Sequence, residues 1–158
     1  MTATATPTYA SEPEIANIAV AGNWRGGTHT RVEARDFALD VDEPPALGGA
    51  DVGANPIEYV LTGLSGCLTV VVHAVAAELG ITVSALASRA GGDLDLRGFR
   101  GTADVSPHFQ SVDLEVTLTT TATQEQVAEL RRQVTARCPV LNLITDAGVE
   151  VRETWHVN

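Results

Sequence analysis

Lysine is missing from this chain of 158 residues, whose ten basic side chains are all arginine. Without a lysine amine there is no Schiff-base or pyridoxal-phosphate chemistry, and no phosphate-loop nucleotide hydrolase. Basic residues are also outnumbered, 10 against 20 acidic, for a net charge of −10. A nucleic-acid partner is therefore not expected, because phosphate neutralisation needs a basic face. Cysteine is scarce: Cys67 and Cys138 are too few for a disulfide scaffold and enough for one redox pair. Charged residues make up only 19% and hydrophobic ones 44%, which excludes a disordered chain. Long apolar runs are lacking too. The longest, Leu68 to Ala77, is interrupted by Thr69 and His73 and is shorter than the ~20 residues that span a bilayer, so no membrane is expected.

What is present reads as one domain. The first residues, 1–14, have neither a basic start nor an apolar run of signal-peptide length, and are expected to form a flexible arm on a cytoplasmic protein. Residues 15–158 are expected to fold as a single unit, since domains commonly hold about 100 to 200 residues. Ile15, Ile18 and Val20, a turn at Gly22-Asn23, and the alternation through Val32, Phe37, Leu39 and Val41 predict an N-terminal meander. Residues 42–55, with prolines and glycines and no periodicity, predict a loop.

Asn55-Pro56-Ile57-Glu58 has a capping residue, proline at the first helical position and glutamate at the third, so a helix is predicted from Pro56 to Leu79, ending at Gly80. Its apolar residues run nearly all round, which predicts a central helix enclosed by protein. Gly63 and Gly66 inside it predict a second backbone packed closely there. Ile81 to Leu96 predicts a strand, with Asp93 to Arg97 its clearest two-residue period, and residues 98–110 predict a turn or loop.

Val112, Leu114, Val116 and Leu118 alternate with polar residues, as in a half-exposed strand. Thr123 with Gln126 predicts a capping box, opening a helix that carries Val127, Leu130, Val134, Cys138 and Leu141 on one face and is interrupted at Pro139. Val149, Val151, Trp155 and Val157 predict a last strand. The order is that of an α+β fold with helices against an antiparallel sheet.

For chemistry, the two cysteines come first. A cysteine attacks as thiolate, which needs a cation or helix amides nearby, and the only permanent cations are arginines. Arg25, Arg31 and Arg35 in the meander are the candidates; the plain alternative is that they are solvated strand residues. Cysteines are equally often small buried hydrophobes. Gly63-Leu64-Ser65-Gly66-Cys67 is not a serine-hydrolase elbow, and His29, His73, His108 and His156 have no metal-ligand spacing, so neither metal nor cofactor is expected.

Asn55-Pro56-x-Glu58 leading to Gly66-Cys67, Gly92-Asp93-Leu94-Asp95, and Arg137-Cys138-Pro139-Val140 together carry a resemblance. Over residues 20 to 157 the chain resembles the OsmC and organic hydroperoxide resistance family of thiol peroxidases. The resemblance implies an intertwined homodimer with the long helices at its centre and the active sites at the interface. It also implies Cys67 as the peroxidatic cysteine, Cys138 as the resolving one, an organic hydroperoxide as substrate and an external dithiol as reductant. A meander arginine, Arg31 first and Arg25 second, would activate Cys67, held by a glutamate at the helix start. That glutamate directly follows the helix-opening proline in the hydroperoxide-resistance branch. Here Ile57 occupies the position and Glu58 comes next, about 100° further round the helix. The departure keeps two other readings open, an OsmC-like protein that binds an apolar small molecule, and a redox sensor that forms a disulfide without efficient turnover.

Overall fold

A computed structural model describes residues 12–158. Most of the expected N-terminal arm lies outside the described residues. The chain divides into two compact units, Met1–Asn55 and Pro56–Asn158, with the boundary at the helix-opening proline.

In the N-terminal unit, β1 (Ala21–Gly26), β2 (His29–Ala34) and β3 (Phe37–Val41) form an antiparallel meander. The expected turn at Gly22-Asn23 is in fact mid-strand, where these residues pair with Val32 and Arg31. The chain turns instead at Gly26 and Gly27, both at positive φ, a conformation that glycine adopts without steric cost. A second tight turn at Arg35-Asp36 splits what reads in the sequence as one strand from Val32 to Val41. Ile15, Ile18 and Val20 lie before the first strand and are exposed. The loop after β3 contains a short 3-10 turn, Pro45–Leu47, and is organised by Asp42. The buried Asp42 carboxylate accepts from Thr28 Oγ1 at 2.6 Å and from the amides of Ala50 at 2.9 Å and Val52 at 3.3 Å. The Thr28 hydroxyl and these amides hold its pKa at about 2.

The C-terminal unit carries α1 (Pro56–Leu79), β4 (Val83–Leu94), α2 (Leu96–Arg100), β5 (Phe109–Thr120), α3 (Gln124–Arg137), α4 (Pro139–Asp146) and β6 (Glu150–Val157). Helix α1 has the predicted bounds. Its buried residues, Leu64, Leu68, Val72, Val75 and Ala76, recur at helical spacing and form one stripe of the core. The opposite core wall comes from β5, where Val112, Leu114, Val116 and Leu118 are fully buried and Asp113 and Glu115 are exposed, as the alternation predicts. Each such side chain contributes roughly 1.5–3 kcal/mol when fully buried. Leu130 and Val134 of α3 and Leu141 of α4 complete the cluster. The Thr123–Gln126 capping box forms as predicted, with Thr123 N–H donating to Gln126 Oε1 at 2.9 Å and Gln126 N–H to Thr123 Oγ1 at 3.3 Å.

Several expectations need correcting. The β4 strand ends at Leu94, because Asp95 caps α2 by accepting from the Arg97 amide, so Asp93 to Arg97 is not one strand. The sheet is ordered β4-β5-β6; β4 pairs antiparallel with β5 as expected, whereas β6 runs parallel to β5. The two helices between β5 and β6 carry the chain back along the sheet, the kind of crossover that parallel pairing requires. Alternation reports which face a residue occupies but not strand direction.

The enclosure of α1 is one-sided: Val70 is 69% exposed, Val60 40% and Ile57 37%. A Cβ added at Gly63 or Gly66 would meet nothing within 4 Å, so no second backbone from among the described residues packs there. By length and composition α1 is also apolar enough to cross a membrane, which the interrupted run from Leu68 to Ala77 does not convey. Its buried stripe is core to the β5 sheet.

Candidate active site

Cys67 and Cys138 are 71 positions apart in sequence and are brought together by the packing of α1 against the α3–α4 segment. Their sulfurs are 3.3 Å apart and both thiols are free. That separation exceeds the ~2.05 Å of a disulfide and is within hydrogen-bond reach for sulfur. Cys67, on α1 three residues after the buried Leu64, is half-buried against the core; Cys138 is fully buried.

Cys138 occupies the break between α3 and α4, at φ −77° and ψ 109°. Proline disfavours helical geometry in the residue before it, so Pro139 drives Cys138 out of the helix and then starts α4 as its first residue. Burial pushes the Cys138 thiol up to about 11. The amides of Leu141 and, less strongly, Val140 at the start of α4 oppose this shift, although no cap hydrogen bond closes onto the side chain, and the neighbouring Cys67 sulfur adds to it. Cys138 is therefore protonated at neutral pH, and its thiol donates to Cys67 Sγ.

The break is repaired by a residue that the sequence reading did not single out. Asn142 Nδ2 donates to Cys138 O at 2.8 Å and to Thr135 O at 3.0 Å. The signal was available in the spacing. Thr135 O would ordinarily accept from the amide of residue 139, and proline has none. Arg137, next to Cys138, does not turn toward the sulfurs; it forms a bidentate pair with Glu78 at the end of α1, at 2.5 and 2.8 Å.

The other expected site residues stand as follows. Arg31, on β2, is ion-paired to Asp40 on β3, which also bonds His29 Nε2 at 2.8 Å. The His29 bond, followed by the Arg31 charge and hydrogen bond, holds the Asp40 carboxyl below its usual range. Asp40 is hidden as the acidic partner of Arg31 as long as residues 32–41 read as one unbroken strand. Once the turn is placed at Arg35-Asp36, the register pairs 31 with 40 directly. Arg25 is exposed on β1, and Arg35 lies over the Phe37 ring at 5.1 Å. Glu58, in the first turn of α1, is exposed and lines an open groove of about 340 Å³ with Leu61, Thr62, Ser65 and Ala90. Among the described residues no group of three His, Cys, Asp or Glu is placed to hold a metal ion.

Comparison with known proteins places the fold. The family model for OsmC-like protein matches residues 48–154. An OsmC-like protein from Mycoplasma pneumoniae superposes with a TM-score of 0.78 at 15% identity, over 90% of this chain and 97% of that one. An organic hydroperoxide resistance protein OsmC from Legionella pneumophila gives 0.67 at 21%, over 92% and 100%. An organic hydroperoxide resistance protein from Elizabethkingia anophelis gives 0.69 at 22%, over 92% and 99%. No curated protein matches the sequence. With an α+β fold shared across these structures and the family model matched over about two thirds of its length, the chain belongs to the OsmC-like protein family.

Proposed function

We propose that this protein is a cysteine-based thiol peroxidase that reduces organic hydroperoxides, acting as a cytoplasmic homodimer in defence against oxidative stress. The observation that carries the reading is the pair of free thiols 3.3 Å apart, one half-buried and the other fully buried. The Cys67 thiolate attacks the terminal peroxide oxygen, the O–O bond breaks, the alcohol leaves with a proton, and Cys67 becomes a sulfenic acid. Cys138 then attacks the Cys67 sulfur. The S–O bond breaks, water leaves with the Cys138 proton, and a disulfide forms. An external dithiol reduces that disulfide by exchange, becoming a disulfide itself.

Arg31 is the first choice to activate Cys67 and orient the peroxide, with Arg25 second, and Glu58 is the carboxylate proposed to hold the arginine. A homodimer is supported by the exposed apolar side of α1, where Val60 and Val70 flank Gly63 and Gly66 and leave room for a second copy. The two similar structures described as organic hydroperoxide resistance proteins support the substrate class.

The test is hydroperoxide consumption with a dithiol reductant. Wild type turns over and Cys67→Ser does not; equal rates for the two would end the peroxidase reading. The groove beside Glu58 favours a second reading, an OsmC-like protein that binds an apolar small molecule or senses redox state with little turnover. A binding protein is then expected to gain melting temperature from apolar ligands while hydroperoxide leaves Cys67 reduced, and a redox sensor to form the Cys67–Cys138 disulfide without sustained turnover.

A further inference from the structure

We infer that Asn142 is a positioning residue for the disulfide-forming step: by bridging the carbonyls of Thr135 and Cys138 across the break at Pro139, it holds the Cys138 sulfur against Cys67. The inference rests on reading Cys138 as the resolving thiol.

A continuous helix through residues 134–146 would donate the amide of residue 139 to Thr135 O. Proline at 139 deletes that donor and drives Cys138 to an extended conformation. The backbone on either side remains helical, with Cys138 N–H donating to Val134 O at 2.9 Å and Asn142 N–H to Cys138 O at 3.0 Å. The Thr135 carbonyl loses its ordinary helical donor, and the Asn142 side chain supplies one at 3.0 Å while its second contact fixes the Cys138 carbonyl at 2.8 Å. Two hydrogen bonds from one planar amide thus lock the main chain on both sides of the Cys138 peptide. An attacking atom held at 3.3 Å by a locked backbone has a high effective concentration, whereas a loosened hinge samples longer separations. Cys-Pro-x-x-Asn thereby acts as one device, in which proline creates the break and asparagine fixes its geometry.

The step affected is condensation of the Cys67 sulfenic acid with the Cys138 thiol to disulfide and water. Formation of the sulfenic acid by hydroperoxide makes no bond to the Cys138 sulfur. Asn142→Ala is therefore expected to slow disulfide appearance by about tenfold, the factor carried by one oriented hydrogen bond of ordinary net worth, and to leave the rate of Cys67 oxidation unchanged. The two rates are separated by rapid mixing with one equivalent of tert-butyl hydroperoxide, trapping of sulfenic acid with dimedone, and intact mass.

The double variant Pro139→Ala/Asn142→Ala separates positioning from stability. Its backbone amide at 139 can satisfy Thr135 O, so the melting temperature recovers relative to Asn142→Ala, while condensation stays slow because Cys138 is no longer held at a break. Disulfide formation at the wild-type rate in either variant overturns the inference, as does an equal slowing of both steps. A second arm needs no peroxide: equilibration of the full-length protein in a dithiothreitol redox buffer. Asn142→Ala is expected to shift the dithiol–disulfide balance about tenfold toward the dithiol, and an unshifted balance overturns the inference. If wild type forms no sulfenic acid, the peroxidase reading fails and this arm alone decides the role of Asn142.

Discussion

The burial of Cys138 has a consequence that can be measured without any substrate. Its thiol is pushed from 9.0 to about 11, chiefly because the anion would be stripped of water. Two pH units correspond to about a hundredfold less thiolate at neutral pH than an ordinary cysteine carries. Alkylation by iodoacetamide proceeds through the thiolate, so the pH dependence of labelling reports this directly. In Cys67→Ser only Cys138 can react. The contributions of Cys67 are then removed while burial, the largest cause, remains, so the profile still breaks above 9.0.

The same shift links to stability. Between 9.0 and about 11 the folded chain retains a proton that the unfolded chain has released. The contribution is therefore complete below pH 9.0 and is lost as pH rises through the folded value, up to roughly 3 kcal/mol in all. Urea midpoints measured across this window should fall more steeply in wild type than in Cys138→Ala. A labelling profile that breaks at or below 9.0, or parallel urea slopes for the two proteins, would mean that burial does not raise the Cys138 thiol.

Two further outcomes follow from the packing. Leu68→Ala removes a fully buried side chain from the α1 stripe next to Cys67 and is expected to cost about 2–5 kcal/mol in denaturant unfolding; a change under about 1 kcal/mol would mean that this stripe is not core. Asp42, held by Thr28, Ala50 and Val52, is expected to titrate near pH 2 by carboxyl NMR. Its contribution is present above the ordinary value of 3.8 and lost as pH falls toward 2, so the Ala50 and Val52 amide resonances should shift only in that acid range. Titration at or above 3.8 would contradict the buried, triply bonded carboxylate.

The parts of this architecture that could be read in the sequence are those set by local chemistry. The bounds of α1 follow from Pro56 at its start and Gly80 beyond its end, the face of β5 from strict alternation, and the start of α3 from the Thr123–Gln126 box. Pairing of the cysteines came through family resemblance, since 71 intervening residues carry no local signal of proximity. What was not legible depends on partners distant in sequence or on competition between local patterns. The parallel direction of β6 is a property of the crossover, and Asp95 followed by Arg97 looks like alternation but acts as a helix cap.

Placing the turn at Arg35-Asp36 would have revealed Asp40 opposite Arg31. Asn142 would have followed from asking which donor replaces the missing amide of Pro139. Gly63 and Gly66 predict a closely packed second backbone, but they face open space on the exposed apolar side of α1.

The central claim, that Cys67 and Cys138 act together on a hydroperoxide, is tested most directly by intact mass spectrometry under non-reducing conditions after one equivalent of an organic hydroperoxide. An intramolecular Cys67–Cys138 disulfide is expected in wild type, and a Cys67 sulfenic acid trapped in Cys138→Ser. Thiols that remain free in wild type, or oxidation that settles first on Cys138, would contradict it.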